Sequence, residues 1–78
     1  MSVKVNKIFD KENEVVYEVK VGDVERLVMF GFDKGESLGS VEIVEKIEDK
    51  FEFNDESLED VFEEEIVEKL WEMDFDEE

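Results

Sequence analysis

Apolar and polar residues alternate through most of the first 32 positions. Val3 and Val5, then the pair Ile8-Phe9, are spaced by Lys4, Asn6 and Lys7, the period of a half-buried strand over residues 2–9. Asp10 to Glu14 is a polar turn. Val15, Tyr17, Val19 and Val21 then share one face, with Glu18 and Lys20 turned away, and this is the clearest strand in the chain. Gly22-Asp23 suits a tight hairpin, because glycine takes a positive φ without steric penalty. In residues 24–32, Val24, Arg26, Val28, Phe30 and Phe32 face one way, and Leu27 and Met29 the other. The pattern predicts a three-stranded antiparallel meander.

Asp33 to Ser40 holds two glycines and two serines and reads as a loop. Residues 41–53 fit two templates. A strand accounts for Val41, Ile43 and Ile47 but misplaces Val44 and Glu45. A helix capped by Ser40 aligns Val44, Ile47 and Phe51 and pairs Glu42 with Lys46. The helix matches more apolar positions and is expected over 41–50, with Phe51-Glu52-Phe53 returning as a short strand. Further on, Ser57-Leu58-Glu59-Asp60 resembles a capping box, with Asp55 as a rival N-cap. Leu58, Phe62, Ile66, Leu70 and Met73 then form one stripe along a single amphipathic helix. The expected architecture is α+β: an N-terminal three-stranded antiparallel meander packed against a C-terminal amphipathic helix, with a second short helix or strand between. It forms one compact domain over 1–73, followed by an acidic tail over 74–78.

Composition removes most chemistry. The 78 residues include no Cys and no His, so thiol catalysis, disulfides, zinc ribbons and the commonest general base are all missing. Carboxylates are plentiful but lie in polar runs, where nothing would tune one for acid–base work. Residues 33–39 lack the spacing of a phosphate-binding loop, and no window supplies an EF-hand ligand set. No enzyme, cofactor or dedicated metal site is expected. The longest apolar run is Leu27-Val28-Met29-Phe30, too short for a membrane span, and a cytoplasmic protein is expected.

Charge changes the picture most. Net charge is −17, unevenly placed: residues 1–39 hold eight acids and six bases, residues 40–78 eighteen acids and three bases. Nucleic acid and anionic membranes are repelled, and an electrostatically steered partner should be basic. Between Ser57 and Glu72 stand Glu59, Asp60, Glu63, Glu64, Glu65, Glu68 and Glu72, with only Lys69 against them. Sixteen helical residues would span about 24 Å, a carboxylate roughly every 3.4 Å, near the phosphate spacing along one strand of B-DNA. A Glu-rich helix face is more commonly a solvated surface. Here the acids persist through several elements with little Glu–Lys pairing, and their self-repulsion is a standing cost to a small domain.

In size, acidity, lack of catalytic residues and the run Glu59–Glu72, the chain resembles the small acidic DNA-mimic inhibitors of phages and mobile elements. Among these, phage inhibitors of the nucleoid protein HU are the most similar in size. The resemblance implies a protein that binds a basic DNA-binding protein (HU-like, or else RNA polymerase or a CRISPR effector) and blocks its DNA binding. If phage-encoded, it would act in the cytoplasm of the host bacterium. The phosphate-mimicking residues would be Glu59, Asp60, Glu63, Glu64, Glu68 and Glu72, supported by Glu52, Asp55, Glu56, Asp74 and Asp76. On the wheel of that helix, Val67 and Trp71 lie off the main stripe, as a homodimer contact or as a wrap over the sheet edge. A rival reading is a small acidic adaptor or regulatory subunit, docking through that strip or through a sheet edge, with charge serving solubility.

Overall fold

The computed structural model describes residues 3–33 and 37–72. Five strands, β1 (Val3–Asp10), β2 (Glu14–Val21), β3 (Val24–Asp33), β4 (Ser37–Ile47) and β5 (Lys50–Phe53), precede two helices, α1 (Leu58–Val61) and α2 (Glu64–Trp71). The strands lie in chain order in a single antiparallel sheet. The expected three-stranded meander under one long helix is therefore incorrect: the sheet has five strands, and the helical part is two short pieces at the C-terminal side.

The helix expected over 41–50 is a strand. Val41 and Ile43 pair with Phe30 and Val28 of β3, and all four belong to the main core beneath the helices. Val44 breaks the alternation because the opposite face is apolar too: it sits between Leu27 and Phe53 and is only 2% exposed. A strand covered on both faces loses its period of two. The following turn also carries no glycine. Ile47 pairs with Lys50 across Glu48-Asp49, and Glu48 takes the left-handed conformation at φ +58°. At the β2–β3 turn that role falls to Gly22, at φ +61°. Replacing Glu48 by Gly should therefore raise stability by about 0.5–1 kcal/mol, as relief of left-handed strain outweighs the added chain freedom. Urea unfolding of Glu48→Gly with no gain, or a loss, would show that the turn is not strained.

The two faces of the sheet differ. On one, Val19, Val28, Phe30, Val41 and Ile43 join Leu58, Phe62, Ile66, Val67 and Leu70 of the helical segment in the main core. On the other, Val16 and Val44 are buried outside that cluster. A bulge in β1 between Lys7 and Phe9 turns Phe9 onto this second face, opposite Val16. There its ring meets Phe51 of β5 at 5.1 Å between centroids. Strands at opposite ends of the order thus touch through side chains, so the sheet curls strongly over its second face.

The single helix expected from Ser57 onward is broken. Phe62 (φ −118°, ψ 150°) and Glu63 (φ −67°, ψ 157°) are extended, and the Glu63 carbonyl accepts from the N–H groups of Ile66 and Val67 to start α2. The break has a packing reason. Around one continuous helix Val67 would lie about 140° from Phe62, so both could not face the sheet. With the chain extended at 62–63, Leu58, Phe62, Ile66, Val67 and Leu70 are all buried. Ser57 occupies the N-cap of α1 without a side-chain capping bond. Met73 and the tail over 74–78 lie outside the described residues.

Candidate functional site

The helices lie against one face of the sheet with Ile66, Val67 and Leu70 inward, so the remaining positions of α2 point outward. Glu59, Asp60, Glu63, Glu64, Glu65, Glu68 and Glu72 are all exposed. Glu52 belongs to the same side, since β5 alternates: Phe51 and Phe53 face the second sheet surface and Glu52 the helical one. Asp55, in the connection to α1, is also exposed. Residues 52–72 carry ten acids and one lysine, Lys69. The opposite face is mixed: register places Lys4, Lys20 and Lys46 there together with Glu14, Glu18, Glu25 and Glu42. The charge imbalance between the halves of the sequence becomes an imbalance between two sides of the molecule.

Two structural facts qualify the set of carboxylates. Four of them, Glu59 and Asp60 in α1 and Glu64 and Glu65 in α2, stand in first helical turns, where the peptide dipoles favour negative charge. Part of the acidity thus serves local folding. The break at Phe62-Glu63 also removes the straight rod on which an even carboxylate spacing was expected, because α2 spans only about 12 Å. What remains is density and sidedness rather than a phosphate-like ruler.

Glu56 is set apart. Its N–H donates to Asn54 Oδ1 at 2.9 Å, a tight turn that brings its carboxylate to Arg26 of β3. Arg26 Nε donates to Oε1 at 2.8 Å and Nη2 to Oε2 at 3.1 Å, a two-pronged pair across 30 residues of sequence. Hydrogen bonding to Arg26 holds the Glu56 carboxyl below its ordinary pKa, and the Arg26 guanidinium is raised in turn. The charge of Glu56 is compensated within the molecule. Arg26 alternates with valines in β3, and nothing in the sequence marks its distant partner.

Val67 and Trp71 do not form an exposed strip. Val67 is 7% exposed and part of the main core, whereas Trp71 is 44% exposed. Of the expected dimer pair, burial of Val67 leaves Trp71 as the exposed member. The other large exposed apolar side chains among the described residues lie elsewhere, with Phe53 of β5 at 67% the most open. Asp74 and Asp76 lie outside the described residues. Among the described residues, no group of three or more carboxylates is placed to hold a metal ion, and no helix is long and apolar enough to cross a membrane. No protein-family model, curated protein or solved structure gives a significant match to this chain.

Proposed function

We propose that this protein inhibits a basic nucleic-acid-binding protein by presenting carboxylates in place of DNA phosphates. One observation carries the reading: the helical side exposes Glu52, Asp55, Glu59, Asp60, Glu63, Glu64, Glu68 and Glu72, while Lys69 is the single base between residues 52 and 72. Such a surface would bind Lys- and Arg-rich partners as DNA does, by attraction and release of counterions. Glu56, tied to Arg26, supports the scaffold rather than the contact.

Competition against DNA tests this. HU, or the basic protein captured from lysate, is bound to labelled duplex DNA and followed by fluorescence anisotropy. The protein should displace DNA, and its affinity should fall by roughly 10³-fold between about 50 and 200 mM salt, as for a ligand that neutralises several charges. Replacing Glu59, Glu63, Glu64 and Glu68 together by Gln should abolish displacement without unfolding the chain, since all four are exposed. A ternary complex that keeps its DNA would end this reading in favour of an adaptor. The adaptor could not dock through Val67, which is buried; it would need the sheet face around the exposed Phe53.

A further inference from the structure

The sheet face turned away from the helices carries an uncovered aromatic patch. Phe9, Met29, Phe51 and Phe53 line a shallow groove there. Phe53 is the most exposed large apolar residue among those described, and Phe9 and Phe51 are half-buried. Exposed aromatics grouped on one sheet face, over the buried Val16 and Val44, are unusual in a chain that is 45% charged. Solvation alone gives no reason for them.

The rim of the groove identifies its occupant. Lys11 in the β1–β2 turn and Glu14 at the start of β2 stand on it, as do Asp49 in the β4–β5 turn and Lys50 at the start of β5. Each end of the rim contributes one cation and one anion, so the rim is neutral in a protein of net charge −17. A basic or acidic partner would meet no net attraction there. A second copy related by a two-fold axis would meet its own complement, Lys11 against Asp49 and Glu14 against Lys50, around a shared aromatic centre. Approach through the helical side would instead oppose the nine acids of residues 52–72 that remain beside the Arg26–Glu56 pair to the same nine, with Lys69 from each copy against them.

We propose that the protein forms a symmetric homodimer through this sheet face, with Phe53 at its centre. The two helical layers then point outward on opposite sides of the assembly. The dimer does not depend on the proposed target and is tested without one.

The test is sedimentation equilibrium of the purified full chain over a range of concentrations and salt. Self-association should strengthen as salt rises, because screening relieves repulsion between two polyanions while the contact itself is apolar. Phe53→Asp should weaken it by about 30-fold or more, the loss expected when a central aromatic anchor is replaced. Trp71→Ser, on the helical side, should leave it unchanged. Circular dichroism checks that both variants fold. Should Phe53→Asp not fold, hydroxyl-radical labelling of the unmodified protein replaces it: Phe53 should become protected with rising concentration while Trp71 does not. A monomer at all concentrations and salts, a dimer that survives Phe53→Asp or breaks with Trp71→Ser, or protection of Trp71 instead of Phe53, would overturn the proposal.

Discussion

Phe30→Ala should cost the protein about 3–5 kcal/mol of stability. Phe30 has no solvent exposure, lies in register between Val15 and Val41, and meets the Tyr17 ring edge-on at 5.6 Å. It stands in mid-sheet and belongs to the core that also takes in Phe62 and Leu70 from the helical segment. Truncating a buried Phe costs about 3–5 kcal/mol through lost transfer energy and the cavity left behind. A domain of this length holds on the order of 4–12 kcal/mol in total, so the variant should lose from roughly a quarter to all of its stability. Urea unfolding followed by circular dichroism measures the loss. A change under about 1 kcal/mol would mean that the sheet and helices do not share this core.

Val67→Asp should be equally severe and tests the helix break directly. One continuous helix with Phe62 and Ile66 facing the sheet would turn Val67 to solvent, where Asp is harmless. In the broken arrangement Val67 is buried beside Ile66 and Leu70, and a carboxylate there has no partner. The cost should be at least about 3 kcal/mol, because an unpaired charge must be desolvated or protonated. Trp71→Asp serves as the control, since its exposed position should tolerate the change to within about 1 kcal/mol. Equal, small effects at both positions would restore the single helix.

These two residues also show where sequence reasoning stops. β2 and β3 run where alternation places them, because each has one face against the helices and a legible turn at Gly22 between them. β4 is hidden by two local facts. Val44 answers to a second apolar face whose existence depends on Phe9, Phe51 and Phe53 from other strands, and the turn after β4 uses Glu48 where a glycine or asparagine would have been the signal. The helical stripe Leu58, Phe62, Ile66, Leu70 is legible, and its four members are buried. The interruption at Phe62-Glu63 is not, since no Pro or Gly marks it and only the burial of Val67 explains it.

Of the candidate site, the acidic positions can be read from the sequence, but their grouping on one side cannot. That grouping follows from β5, whose alternation sends Glu52 one way and its flanking phenylalanines the other. The Arg26–Glu56 pair was equally invisible, because a contact across 30 residues depends on where the chain after β5 returns over the sheet.

The strand order has a kinetic consequence. Every strand pairs with its neighbour in the chain, and two of the four connections are two-residue turns, at Gly22-Asp23 and Glu48-Asp49. Closing such short loops loses little chain entropy, so the sheet can zip hairpin by hairpin without a strand waiting for a distant partner. Sandwich and Greek-key sheets must first bring remote segments together and fold slowly for that reason. This sheet belongs with the faster β topologies. The like charges that burden its folded state would also hold unfolded copies apart while the edges of β1 and β5 are still bare.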